Sequence, residues 1–158
     1  MSLVIRDLIK SFDQPGGGSL TVLDIEQFEV GANGEGEQVC LIGESGGGKT
    51  TLLEAIAGFL PLTRGDVLWR GEAMTDFEPG KRPVAMLFQD GNLFPHLTAA
   101  QNVGLGLHPG LRLAACDDRA DEAALMRVGL AGLGGRKPAE LSGGQQARVA
   151  LARLLVQK

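Results

Sequence analysis

The sequence has no tyrosine, a single tryptophan (Trp69) and only two cysteines in 158 residues. Cys40 and Cys116 lack metal-ligand spacing, which argues against a cysteine-held metal centre. Cys40 lies inside an apolar run and is expected to be a buried free thiol. No stretch approaches the ~18 consecutive apolar residues that span a bilayer. The opening Met1-Ser2-Leu3-Val4-Ile5-Arg6-Asp7 has no basic n-region and is interrupted by Asp7, so it does not read as a secretory signal. There is no Lys/Arg-rich run, and the net charge is −4, which argues against a nucleic-acid surface. No internal repeat is visible. A hydrophobic fraction of 44% and a charged fraction of 22% fit one globular domain with a real core. Such a chain is expected in the cytoplasm unless a partner holds it at a membrane.

Periodicity then predicts the elements. Leu3 to Leu8 alternates loosely and reads as an edge strand; after the turn Gln14–Ser19, Leu20 to Val30 alternates again and reads as one or two strands. A second turn spans Gly31–Gly36. Val39-Cys40-Leu41-Ile42 and Val84-Ala85-Met86-Leu87-Phe88 are continuous apolar runs, as expected for strands buried on both faces of a parallel sheet. Gly65 to Trp69 reads as a further strand. Thr50 to Phe59 has helical spacing and ends at Gly58 and Pro61. Between Leu97 and Ala139 the texture becomes helical, with Thr98–Val103 and Asp117–Val128 as helices. Gly143 to Lys158 is predicted helical, with Ala147, Leu151, Leu154 and Leu155 on its apolar face and Ser142 as N-cap.

Gly43-Glu44-Ser45-Gly46-Gly47-Gly48-Lys49-Thr50 matches the phosphate-loop pattern G-x-x-x-x-G-K-[ST], with an apolar run before it and a helix after it. Glycines let successive N–H groups point at phosphate oxygens, and the helix N-terminus adds a favourable dipole. Lys49 is placed to reach the β- and γ-phosphates of ATP, and the hydroxyl of Thr50 to ligand Mg²⁺; Gly43–Thr50 together with Thr51 are expected to bind the nucleotide. Glu44 stands out, because a carboxylate near phosphates repels them unless it points outward, as expected here.

Leu141-Ser142-Gly143-Gly144-Gln145-Gln146-Ala147-Arg148-Val149-Ala150-Leu151-Ala152-Arg153 resembles the signature segment of ABC-transporter ATPases. The resemblance covers essentially the whole chain in the family's order. It implies an α/β fold: a P-loop NTPase core of the ABC ATPase type, N-terminal antiparallel strands and a helical subdomain. Residues 1–96 form the β subdomain and P-loop core, 97–140 the helical subdomain, and 141–158 the signature and following helix. Ser142, Gly143, Gly144 and Gln145 are implied to close over ATP held by the phosphate loop of a second copy in a head-to-tail dimer. Gln89 matches the glutamine that contacts Mg²⁺ and the attacking water, and Phe12 the aromatic that stacks on adenine, with a core role for Phe12 nearly as reasonable. His96 and His108 are not catalytic candidates; His96 reads as a loop residue near the permease contact. Lys81–Thr98 resembles importer ATPases, and Gln101–Leu111 most resembles their thiamine-importer branch.

Those importers imply further partners: transmembrane permease subunits and, indirectly, an extracytoplasmic solute-binding protein, with the ATPase peripheral on the cytoplasmic face of the bacterial inner membrane. The family also places an apolar strand ending in Asp-Glu after the signature. No acidic pair here follows an apolar strand, so the C-terminal part of the core is expected to be missing, and the chain marginally stable without the strands it would supply. The leading reading is the ATP-hydrolysing subunit of a small-molecule importer, with thiamine as cargo. Alternatives are a fragment that binds ATP without hydrolysing it, the ATPase of another importer, a non-transport member of the family, or a P-loop small-molecule kinase. The last has no use for Leu-Ser-Gly-Gly-Gln.

Overall fold

A computed structural model describes residues 2–32, 36–88, 93–107 and 118–157. They fall into two compact units, Met1–Val84 and Ala85–Lys158.

In the first unit, β1 (Leu3–Asp13) and β2 (Ser19–Val30) form an antiparallel hairpin. Its turn is closed by Gln14 N donating to Gly18 O at 3.0 Å and Gly17 N donating to Gln14 O at 3.1 Å. The phosphate-loop helix α1 (Lys49–Ala57) follows. Then β3 (Arg64–Trp69) pairs antiparallel with the other edge of β1, and the short β4 (Glu72–Ala73) pairs with β3. The strand order is β2-β1-β3-β4, so β1 is not the expected edge strand: it pairs with β2 on one side and β3 on the other, and Ser19–Val30 is one strand rather than two. Strict alternation would place Ile5 and Leu8 on opposite faces, yet both are fully buried in one core. Asp7, at φ 47°, shifts the β1–β3 register between Arg6 and Ile9, and this bulge returns Leu8 to the core side. Leu52, Ala55 and Ile56 of α1 pack into the same core as Ile5, Leu8, Leu23, Val67 and Met74. Full burial of each large aliphatic side chain contributes about 1.5–3 kcal/mol.

The two buried parallel strands expected at Val39–Ile42 and Val84–Phe88 do not form. Neither run joins the sheet, which is antiparallel throughout among the described residues. Leu41 and Val84 pack against the core, whereas Val39, Leu87 and Phe88 are exposed and Ile42 is 92% exposed. A doubly buried strand needs neighbours that accept and donate along both edges, and no neighbouring strand is available to these runs among the described residues. Cys40 is therefore exposed rather than buried.

The second unit holds α2 (Ala99–Gly104), α3 (Asp118–Arg127) and α4 (Gly143–Leu155) around Val103, Leu125, Leu130, Val149 and Ala152. Thr98 and Gln101 form a reciprocal capping box at the start of α2. The unit begins at Ala85, ahead of the expected 96/97 boundary. Asn102, fully buried on α2, holds the residues just ahead of the helix: its Oδ1 accepts from Phe94 N at 2.8 Å, and its Nδ2 donates to Phe94 O, Leu97 O and Thr98 O at 3.1, 3.3 and 3.0 Å. These bonds tie the segment before α2 to the helical unit.

The buried face of α4 also differs from expectation. Val149, Ala150 and Ala152 are buried, while Ala147 is exposed and Leu151 and Leu155 are 40% and 43% exposed. The end of α4 is also closely approached by Gly106. A Cβ at Gly106 would overlap the carbonyl oxygen of Arg153 and lie 2.8 Å from Val156 Cγ2. Gly106 therefore tolerates no side chain.

Candidate nucleotide-binding site

The loop Gly43–Gly48 is organised by its own backbone and by Lys49. Gly47 N donates to Glu44 O at 3.1 Å, and Lys49 Nζ donates to Gly43 O at 2.9 Å and Glu44 O at 2.6 Å. Gly46 (φ 82°) and Gly48 (φ 77°) are left-handed, which glycine adopts without steric cost. At Gly48 space is also short: a Cβ would sit 3.0 Å from Leu23 Cδ2 and 3.1 Å from Val22 O, so the loop runs close against β2.

Gly48 is the N-cap of α1, with no side chain capping the helix. The first helical hydrogen bond joins Leu52 N to Gly48 O at 2.9 Å. The amides of Lys49, Thr50 and Thr51 therefore precede any intrahelical acceptor. Together with the dipole, they give α1 an anion-attracting end. Gly43, Glu44, Ser45, Gly46 and Thr50 are exposed, and Lys49 and Thr51 partly so. This arrangement can hold a chain of phosphates, with a cation already at the loop. Among the described residues no cluster of His, Cys, Asp or Glu could hold a metal ion. The Thr50 hydroxyl fits Mg²⁺ that is otherwise held by phosphate and water oxygens.

The other end of α1 is fixed by Arg82, which sequence reasoning missed. Its guanidinium donates to Ala55 O, Ile56 O, Thr75 O and Phe77 O. Burial lowers the Arg82 pKa, and nearby Asp76 partly offsets that. Phe12 is 40% exposed near the end of β1, which excludes a core role, and Lys10 Nζ lies 4.8 Å from its ring centroid. Gln89 and His108 lie outside the described residues. His96 is exposed and packs edge-on against Phe94.

In the second unit, Ser142 is the N-cap of α4. Its Oγ accepts from Gln145 N at 3.3 Å, and Gln145 Oε1 accepts from Ser142 N at 2.8 Å. Gly143 and Gly144 are exposed, with nothing within 4 Å of a built Cβ. The turn before them is anchored by Gln146, whose Nε2 donates to Pro138 O at 2.9 Å and Leu141 O at 3.1 Å. Gln146 was not singled out from sequence. Asn102 left one signal there, as a polar residue between apolar positions of a short helix.

A glycine loop leading into a buried helix, an antiparallel N-terminal sheet and a helical unit with a capped Ser-Gly-Gly-Gln turn define an ABC ATPase-type fold. Solved structures agree. The ATP-binding cassette MJ0796, in a dimeric post-hydrolysis state bound to ADP and Pi, superposes with a TM-score of 0.80 at 29% identity, over 96% of this chain and 68% of that one. The family model for ABC transporter matches residues 31–158. The chain belongs to the ABC transporter family.

Among curated relatives, the thiamine import ATP-binding protein ThiQ of Ruegeria sp. strain TM1040 is 64% identical over 125 residues, 79% of this chain and 54% of that protein. ThiQ of Cereibacter sphaeroides is 60% identical over 77% of this chain and 52% of its own length. ThiQ of Escherichia coli K12 is 53% identical over 78% and 53%. The chain thus spans about half the length of the curated relatives it matches.

Proposed function

We propose that this chain is the ATP-binding portion of an ATPase subunit that energises thiamine import through a membrane permease. The observation that carries the nucleotide reading is the Lys49 ammonium drawn onto the carbonyls of Gly43 and Glu44, at the open N-terminus of α1. The thiamine reading is supported by 64% identity to a thiamine import ATP-binding protein.

On this reading the amides of Gly46 and of Gly48–Thr51 receive the phosphates, while that of Gly47 stays bonded to the Glu44 carbonyl. Lys49 exchanges its two loop carbonyls for the β- and γ-phosphates, and the Thr50 hydroxyl ligands Mg²⁺. When bound, Mg²⁺ neutralises charge on the transferred phosphoryl group. Phe12 stacks on adenine, and Gln89 orients the attacking water. Ser142, Gly143, Gly144 and Gln145 serve the ATP of a second copy. The Ser142 Oγ accepts one bond and keeps its own proton to donate, and the glycine amides lie open beside it. The dimeric MJ0796 structures support a paired arrangement. No helix among the described residues is long and apolar enough to cross a membrane, and a peripheral place on the cytoplasmic face fits that.

The test is calorimetric titration of ATP into the chain. Saturable binding is expected, and Lys49→Ala should abolish it; equal binding by the variant refutes the site. Phosphate release by the same samples separates hydrolysis from binding alone. Purification of a tagged chain from membranes should bring down a permease with it, and recovery of only soluble proteins counts against the importer reading.

A further inference from the structure

The phosphate loop carries an anion at its second position, Glu44. Between Gly43 and Thr51 the charged side chains are Lys49 and Glu44, so the loop's side chains sum to zero charge although its proposed ligand is a polyanion. The backbone of Glu44 is pinned where the loop turns. Its carbonyl accepts from both Lys49 Nζ at 2.6 Å and Gly47 N at 3.1 Å. A Cβ at Gly47 would lie 3.1 Å from that same oxygen, so the loop has little slack there. The Glu44 side chain is exposed, and its carboxylate forms no ion pair among the described residues. It can turn away by rotation, but its Cα cannot leave the loop.

We propose that Glu44 sets the nucleotide affinity of this loop. Its carboxylate opposes the phosphates, most strongly the most highly charged nucleotide, and so favours release. The proposal rests on the ATP-binding reading above. When Lys49 turns to the phosphates it gives up only backbone carbonyls, and the carboxylate, tethered to the loop through its Cα, keeps no cation of its own among the described residues. Two unit charges about 8 Å apart in water change an equilibrium constant by a factor of roughly two to three, and salt screens the effect. Summed over the charges of metal-free ATP, neutralising Glu44 tightens binding about three- to tenfold at low salt. The gain is smaller for ADP and for Mg²⁺-bound ATP, which carry less charge.

The experiment measures dissociation constants for ATP and ADP, with and without Mg²⁺, at low and high salt. It uses the full chain and its Glu44→Gln, Glu44→Asp and Lys49→Ala variants. Glu44→Gln is nearly isosteric at an exposed position and should unfold with the parent. Tighter metal-free ATP binding by Glu44→Gln, with the gap closing at high salt and Glu44→Asp matching the parent, supports the proposal. Unchanged affinity at every salt concentration overturns it. So does weaker binding by Glu44→Gln, which would show the carboxylate acting as a ligand. If Lys49→Ala binds as the parent does, the nucleotide reading fails instead, so the two failures are distinguishable.

Discussion

Removing the Arg82 guanidinium should loosen the helix that carries the phosphate loop. Its four acceptors are Ala55 O at 3.0 Å, Ile56 O at 2.9 Å, Thr75 O at 2.6 Å and Phe77 O at 2.9 Å. The first two are carbonyls at the C-terminus of α1, where a cation also meets the negative end of the dipole. Hydrogen bonds from a charged donor each contribute about 1.5–3 kcal/mol. They do not add in full, because one partly solvated group makes them all and Ala55 O keeps a second donor in Gly58 N at 3.2 Å. Arg82→Ala is therefore expected to destabilise the first unit by about 2–4 kcal/mol. Lysine keeps the charge but not the planar fork, so Arg82→Lys should recover less than half of the loss.

Gly58 supplies an internal check. Its φ of 85° disfavours alanine, and a Cβ there would lie 2.5 Å from Arg82 Nε and 2.7 Å from Cζ. Gly58→Ala should cost about 1–2 kcal/mol from the left-handed backbone, plus a term for displacing the guanidinium. That second term vanishes once Arg82 is alanine, so the double variant should be about 1–2 kcal/mol more stable than additivity predicts. The assay is urea unfolding followed by the fluorescence of Trp69, the only tryptophan, which packs against the first unit's core. Two results would refute the reasoning: Arg82→Ala within about 0.5 kcal/mol of the parent, or strictly additive effects of the two substitutions.

Two further outcomes are expected. Asn102→Ala orphans Phe94 N and several carbonyls, which should destabilise the helical unit by about 2–4 kcal/mol and remove hydrogen-exchange protection at Phe94 N; retained protection refutes the anchoring role. Ile42→Lys should lower binding of a hydrophobic dye while leaving the Trp69-monitored unfolding within about 0.5 kcal/mol of the parent, and a larger loss would show that Ile42 packs.

The local signals in the sequence were those with local causes. Glycines 46 and 48 mark where the loop must go left-handed before α1. Ser142 and Gln145 are spaced as a capping box and form one, and Gly58 ends α1 through its own N–H. Each of these rests on atoms within a few residues. Arg82, Asn102 and Gln146 gave weaker signals because their partners are backbone carbonyls and amides, which no side-chain pattern encodes. The sequence around Gln89 is equally legible, but its geometry lies outside the described residues.

The apolar runs divide along the same line. Val39–Ile42 and Val84–Phe88 look alike in sequence to any buried strand, but burial on two faces is a property of neighbours. No neighbouring strand flanks these runs among the described residues. On α4 the sequence carries two apolar stripes at helical spacing, and periodicity ranks the leucines above Val149, Ala150 and Ala152. Packing against Val103, Leu125, Leu130 and Leu141 reverses that order, burying Val149 and Ala152 instead. The sequence by itself thus determined the extended character of β1 and β2, the glycine loop, the Ser142 cap, the Gly58 stop and the family, all of which depend on nearby residues or on motif spacing. Tertiary structure alone decided which face of α4 is buried, which runs become strands and which polar side chains hold the two units' backbones, since each depends on groups distant in the chain.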